Sequence, residues 1–392
     1  MQHDACNVIH RHLSGGALVR ASPFALGVLG YAHRCKDYAF YHAKKNPFIM
    51  LRPIVEVLEA YGLFALTIDE LGTGLINQTW KLRTDDEQIL VIQCLNALFP
   101  AAINTDISKL TLHLKEKGLP TAELLPNLAG SYVTEYAGDN WRLMTYVPGM
   151  SYDGLANASQ AFEAGAALAR FHVAVADLDI TLSHQRPHVH DTVHHIQNLC
   201  DALEAHAEHP RFATIAPLAE TILSSAAALP AIDLAQTRLV HGDPKISNLL
   251  FDDAGKSVCW VDLDTLAHMP LCLEMGDAFR SWCNPGSEDT EAAEFSLEYF
   301  AAAAAGYASE SQGFVTAAEW QAFVDGTQII LVELAARFCA DALNESYFGW
   351  NPERFATRGE HNEARVRNQL RVLASFLEQH AECTAALDAA FA

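Results

Sequence analysis

No apolar run in the 392-residue chain approaches the 18 or more residues of a membrane span, so no continuous apolar anchor is expected. Basic residues are scarce, 26 Lys and Arg against 48 Asp and Glu, and the formal charge of −22 argues against a nucleic-acid backbone or an anionic membrane as the main partner. Nine cysteines show no C-x-x-C pair and no zinc-like spacing, and an odd number suits reduced thiols better than a disulfide framework. Together these absences lead to the expectation of a cytoplasmic protein, with oligomeric state left open. Half of the residues are apolar, and the length allows one large or two ordinary domains with ample core.

The chemistry-bearing residues concentrate between Leu239 and Thr265, LVHGDPKISNLLFDDAGKSVCWVDLDT. An apolar pair delivers His241, Gly242 and Asp243 into a turn, and Lys245 and Asn248 follow Asp243 at plus two and plus five. Leu249 to Phe251 reads as a short buried strand, Asp252 to Lys256 as a Gly-containing loop, and Val258 to Val261 as the returning strand. Such a hairpin folds Asp262 back toward Asn248. Phosphoryl transfer needs a carboxylate to accept the substrate proton, hard oxygens for Mg²⁺, and a cation on the phosphates. Asp243 suits the base, Lys245 the phosphate contact, and Asn248 and Asp262 the metal, with Asp264 a further candidate ligand. The same offsets occur in protein-kinase catalytic loops, and the His-Gly-Asp opening resembles the aminoglycoside phosphotransferase and choline kinase superfamily. An ordinary acidic turn is the competing reading of the triplet alone.

Residues 1–49 carry six Lys or Arg against two Asp, whereas 50–392 carry 20 basic and 46 acidic groups. That contrast sets 1–49 apart, as an appendage, an extended reading frame before Met50, or a transit peptide. A helix over Pro53 to Tyr61 is expected to open the folded part, with Pro53 in its first turn. Gly72 and Gly74 permit close backbone approach to a phosphate, or a plain hairpin; Asn77 and Thr79 lead into the next strand. Ile89 to Leu95 is a buried strand with Gln93 where kinases carry the phosphate-contacting lysine, so neutralisation is expected from Mg²⁺ and Lys245. A helix near Thr105 to Lys117 offers Glu116 as an acidic partner. A hairpin across Gly138 and Asp139 ends near Tyr146, read either as an adenine contact in a kinase-like hinge or as strand core. Ala161 to Ala176 has small residues for close helix packing, with His172 a core histidine. The histidines of Arg186 to His195 invite a zinc reading that lacks accompanying ligands. Gly276 and Asp277 are expected at a turn into a helix, with Asp277 capping or anchoring it. Arg337, Asp341 and Tyr347 stand out as polar groups in or after an apolar helix, with a buried salt bridge as the alternative role.

The segments Gly74–Lys81, ILVIQCLNALFP, HDTVHH, HGDPKISNLLF, VDLDT, MGDAFR and ELAARFCADALNESYF together resemble the N-acetylhexosamine 1-kinases, a branch of that superfamily, over about residues 53–380. The resemblance implies an α+β, bilobal, protein-kinase-like fold, with a small β-rich N-lobe (50–148) and a larger, mainly helical C-lobe (149–392). It implies transfer of the ATP γ-phosphate, with Mg²⁺, to the anomeric hydroxyl of GlcNAc or GalNAc. Asp243 matches the base, Asn248 and Asp262 the metal ligands, and Arg337 and Tyr347 sugar-binding positions, with Asp341 and His190 grouped with them. The chain departs from the branch at Ala342 and over Asn344 to Ser346, on the sugar side. A kinase of an aminoglycoside, choline-like or other amino-alcohol substrate is the alternative; an inactive nucleotide-binding scaffold is a second, suggested by Gln93 and opposed by the intact Asp243, Lys245, Asn248 and Asp262 set.

Overall fold

The computed structural model describes residues 47–71, 77–286, 288–290 and 293–392, with the side chains of 47–51 excepted. The described chain forms two compact units: one comprises 105–122 and 147–392, the other 47–104 and 123–146.

The second unit is built on an antiparallel sheet. Its strands are β1 (Ala65–Glu70), β2 (Gln78–Thr84), β3 (Ile89–Leu95), β4 (Leu124–Leu125), β5 (Thr134–Tyr136) and β6 (Asp139–Thr145), in the order β1-β2-β3-β6-β4 with β5 on β6. Strand alternation divides the residues between two faces. Trp80, Leu82, Leu90, Ile92, Trp141 and Leu143 form one, closed by Ile54, Val57 and Leu58 of helix α1 (Pro47–Glu59). Trp80 and Trp141 stack there with ring centroids 5.7 Å apart. Thr79, Lys81, Gln93 and Arg142, out of phase with these, belong to the opposite face. Helix α1 starts six residues before Pro53, because Pro47 takes the first-turn position expected for Pro53, which lies inside the helix.

The first unit is mainly helical. Helix α2 (Ile103–Glu116) was expected within the 50–148 region, but 105–122 cluster with 147–392. The ties are Asp106, which accepts the Ser183 backbone N–H at 2.6 Å, and His113 and Lys117, which reach Asp177 at 3.0 and 2.5 Å. Helix α3 (Ala158–Val175) crosses a later helix, Leu297–Glu310, so closely that a Cβ on Gly165 would lie 2.0 Å from Ala303 O, and one on Gly306 2.0 Å from Phe162 O. Small residues predicted this contact. Strand β7 (Arg238–Val240) pairs with β10 (Ala267–Met269), and β8 (Leu249–Phe251) with β9 (Ser257–Trp260), so the chemistry-bearing stretch is two nested antiparallel pairs. Helix Leu271–Trp282 packs against β7, and helix Phe323–Asn344 packs against Leu271–Trp282; they are called αM and αN below.

Two expectations differ from the structure here. Gly276 and Asp277 lie inside the continuous helix αM rather than at a turn into it. The glycine serves a helix crossing, since a Cβ on it would meet Gly326 O of αN at 2.5 Å, and Asp277 pairs with Arg280 at 2.9 Å instead of capping. Among the described cysteines Cys94, Cys259, Cys272, Cys283, Cys339 and Cys383 are free thiols as expected, whereas Cys200 is disulfide-bonded. Burial pushes the Cys259 thiol up to about 12. Among the described residues no helix is long and apolar enough to cross a membrane.

Candidate active site

Asp243 stands in a loop that the backbone can make only with glycine before it. Gly242 has φ +82°, and a Cβ there would meet Thr265 O at 2.0 Å. Glu274 of αM, fully buried, holds the loop from behind: its two oxygens accept the His241 and Gly242 backbone N–H groups at 3.1 and 3.0 Å. Burial lowers the His241 pKa, so the ring is neutral and can both accept and donate. Its Nδ1 accepts the Asp243 N–H at 3.3 Å, and its Nε2 donates to Val261 O at 2.9 Å.

Lys245 Nζ donates to Asp243 Oδ2 at 2.6 Å, and Asn248 Nδ2 donates to Asp243 O at 2.9 Å and Oδ2 at 3.2 Å. The sequence offsets of two and five thus converge on one carboxylate. Burial by itself raises the Asp243 pKa, but the Lys245 charge and hydrogen bond, with Arg280 nearby, hold it below the usual carboxylate range. Lys245 answers in kind. Burial lowers its pKa, and Asp243 and Asp262 more than reverse this, so it remains fully charged while its side chain is still 35% exposed.

The hairpin returns as predicted. Val261 N–H donates to Asn248 O at 2.8 Å, which brings Asp262 out of β9 one residue beyond Asn248's backbone partner. Asp262 adopts the left-handed conformation, φ 63°, which Asp tolerates better than most side chains. Because Asn248 uses its NH₂ group on Asp243, its Oδ1 is the oxygen it can offer elsewhere. Asn248 Oδ1 and Asp262 are hard donors suited to Mg²⁺, which takes one or two carboxylates and completes its shell with phosphate and water oxygens. Among the described residues no group of three or more His, Cys, Asp or Glu is placed to hold a metal ion. Asp264, the third candidate ligand, is buried in the short turn Leu263–Thr265.

The expected acceptor residues fall around the end of αN and its following turn. His190 Nδ1 lies 2.9 Å from Glu333 Oε1, Thr192 donates to the other oxygen at 2.7 Å, and Arg337 Nη1 is 4.0 Å from Oε1. His190 is held with a raised pKa: burial lowers it, and the Glu333 carboxylate overcomes that. Its Nε2 is buried with no hydrogen-bond partner among the described residues. The Arg337 guanidinium sits 5.7 Å from the Phe348 ring centroid. Tyr347 is exposed and receives a hydrogen bond from Arg186. Asp341 is different in kind: its oxygens accept the backbone N–H groups of Ser346, Tyr347 and Phe348 at 2.8, 2.9 and 2.9 Å and the Asn362 amide at 2.8 Å. It shapes the turn that presents Tyr347.

Of the expected nucleotide contacts, Gly72 and Gly74 lie outside the described residues. Asn77 is buried, and its Oδ1 accepts the Asn96 N–H at 2.9 Å. Tyr146 carries Lys81 Nζ 4.3 Å from its ring centroid. Gln93 Nε2 donates to Thr79 Oγ1 at 2.9 Å, and Gln93 Oε1 accepts Arg142 Nε at 2.8 Å. Glu116, the expected acidic partner, is exposed at the end of α2.

Sequence reasoning passed over Glu274, Glu333 and Arg142. Each is a charged residue inside an otherwise apolar helix or strand, a pattern that marks a buried polar group with a partner elsewhere.

A model of the phosphotransferase enzyme family, APH, matches residues 67–312. An aminoglycoside phosphotransferase from Alicyclobacillus acidocaldarius subsp. acidocaldarius DSM 446 superposes with TM-score 0.53 at 14% identity, over 83% of this chain and 96% of that one. Amicoumacin kinase hAmiN, solved with AMP-PNP, Ca²⁺ and Ami, gives 0.52 at 13% identity over 88% and 96%. Spectinomycin phosphotransferase APH(9)-Ia, solved with ADP and its antibiotic, gives 0.50 at 13% identity over 86% and 98%. At these identities the likeness concerns the fold: an α+β, protein-kinase-like architecture with a sheet-bearing N-terminal region and a mainly helical C-terminal one, as expected.

Proposed function

The chain belongs to the phosphotransferase enzyme family, and from that premise we propose that it transfers the γ-phosphate of ATP to the anomeric hydroxyl of an N-acetylhexosamine, GlcNAc or GalNAc, yielding the sugar 1-phosphate and ADP. The observation that carries the reading is the convergence of Lys245 and Asn248 on the Asp243 carboxylate, one hairpin away from Asp262. The acceptor class rests on the Gln93-bearing ILVIQCLN strand, the DLDT turn, and the Arg337 and Tyr347 positions.

Asp243, ionised by its neighbours, orients the sugar hydroxyl and takes its proton as the oxygen bonds to the γ-phosphorus and the bond to the bridging oxygen of ADP breaks. Lys245 places its charge where negative charge builds up on the transferring group. Asn248, Asp262 and Asp264 would hold Mg²⁺, and the ion would supply charge neutralisation on the phosphates. Arg337, Tyr347 and His190 bind the sugar, and Asp341 acts through the turn it fixes.

A panel of GlcNAc, GalNAc, an aminoglycoside, choline and ethanolamine, assayed by ADP release with phosphorus NMR of the product, tests this. Phosphorylation of an N-acetylhexosamine at C1 is expected. Turnover of another member of the panel alone overturns the acceptor, and no ADP release with any overturns the kinase reading.

A further inference from the structure

Gln93 occupies the strand position at which kinases place a lysine, yet a side-chain amide carries no charge. The register of the sheet shows what accompanies it. Gln93 lies directly opposite Thr79 on β2 and directly opposite Arg142 on β6, so the three side chains form one row across three strands, on the face away from the Trp80 and Trp141 core.

The row has a fixed polarity. A guanidinium is donor only, so the Gln93 group facing Arg142 must be its oxygen, and the 2.8 Å contact from Arg142 Nε is to Oε1. The NH₂ group then faces the other way. Thr79 Oγ1 takes one of its hydrogens at 2.9 Å, and an amide has a second. Arg142 is 2% exposed and also donates through Nη1 to Asn104 Oδ1 at 3.2 Å, so it is anchored on two sides and cannot swing out to meet a ligand itself. A charged donor on a carbonyl oxygen strengthens that bond and polarises the amide, which makes its remaining N–H a better donor.

We propose that Arg142, acting through Gln93, supplies the positive charge of a nucleotide-phosphate contact on this face of the sheet, with the second Gln93 N–H as the group that meets a β- or γ-phosphate oxygen. Gln93 is the contact and Arg142 its positioning residue. The inference rests on the ATP-dependent reading above. It gives Gln93 a purpose that a decayed lysine would lack, and it places the charge one strand away from its usual position.

Two variants separate this from a merely structural network. In Gln93→Glu the new carboxylate keeps the Arg142 contact as an ion pair and still accepts from Thr79, so the fold is retained, but the donor is lost and a negative charge faces the phosphates. Arg142→Gln leaves the amide row uncharged. Isothermal titration of AMP, ADP and AMP-PNP with Mg²⁺ into each folded protein, checked by thermal melting, reads the outcome. The expected result is a loss on the order of tenfold or more for ADP and AMP-PNP, the scale of one charge-assisted hydrogen bond, with AMP within about twofold of wild type. Adding 0.5 M salt should shrink the difference between wild type and Arg142→Gln, as electrostatic screening requires. Gln93→Glu that is folded and binds AMP-PNP like wild type overturns the inference, as does an equal loss for all three nucleotides in Arg142→Gln. A wild-type protein that binds no adenine nucleotide overturns the ATP-dependent reading, and the inference with it.

Discussion

His241 Nε2 lies 2.9 Å from the carbonyl oxygen of Val261. Beside the Val261 N–H bond to Asn248 O, that bond ties the loop bearing Asp243 to the segment that delivers Asp262, so a buried, neutral imidazole helps to place both the proposed base and the proposed metal ligand. The bond needs no charge on the ring, which is why burial suits it.

Asp243→Asn should lower turnover by about 10² to 10⁴, the usual cost of losing a general base, while nucleotide affinity and melting temperature stay near wild type. Steady-state kinetics beside a nucleotide titration check this. More than half of the wild-type rate in the variant would remove Asp243 from the role.

Asp262→Ala should weaken Mg²⁺-dependent nucleotide binding by at least the ~10 to 100-fold that an outer-shell partner of a metal typically costs. A magnesium titration of AMP-PNP binding that superimposes on the wild-type curve would exclude Asp262 as a ligand.

Glu274→Gln tests the support behind the loop. The carboxylate accepts two backbone N–H groups, but an amide turns an NH₂ group toward one of them, leaving buried donors face to face. A loss of about 1–3 kcal/mol in unfolding free energy is expected, the penalty of an unsatisfied buried polar group, together with a fall in kcat larger than any change in the KM for ATP. Denaturant melts and kinetics unchanged from wild type would show the clamp to be dispensable.

Arg337→Ala should raise the KM for the acceptor about 10- to 100-fold, the scale of a hydrogen bond to a charged group, and leave that for ATP nearly unchanged. A parallel rise in both KM values in a folded variant contradicts the placement of Arg337 on the sugar.

Asp289 gives a stability prediction independent of catalysis. Burial raises its pKa, but a 2.8 Å hydrogen bond with His361 and the Arg365 guanidinium at 3.1 Å bring the carboxyl down to about 2, from an ordinary 3.8. A depressed folded-state value stabilises the protein above about pH 4, and that contribution disappears as the pH falls through about 2. Asp289→Asn should therefore remove up to about 2 kcal/mol of stability at neutral pH and flatten the acid limb of the stability curve between pH 4 and 2. Urea melts across that range decide it; identical acid limbs would refute the assignment.

The loop proposed as catalytic was legible because its information is local. Asp243, Lys245 and Asn248 lie within six residues, the hairpin after them announces itself by apolar runs around a Gly-containing loop, and no distant choice alters their convergence. Features set by tertiary partners were not. Gly276 reads as a turn in sequence, yet it is a helix residue whose missing side chain admits the Gly326 carbonyl from αN. Asp341 reads as a ligand because it is acidic among apolar neighbours, yet three N–H groups of the turn after αN converge on it. Arg142 is 49 positions from Gln93, so only strand register reveals the pair. The start of the folded part was placed by Pro53, whereas Pro47 begins the helix, so a chain starting at Met50 would cut its first turn.

The crossing at Gly165 and Gly306 reaches further than helix packing. Helix α3 carries His172, whose Nδ1 is 2.9 Å from the Tyr307 hydroxyl of the crossing helix and whose Nε2 is 3.6 Å from Glu274. The crossing therefore adjoins, through His172, the Glu274 carboxylate that holds the 241–243 loop of the proposed catalytic site. Evolvability is consequently divided within the first unit: the exposed Tyr347 side chain can change without disturbing a backbone fixed by Asp341, whereas Gly165 and Gly306 leave no room for a Cβ.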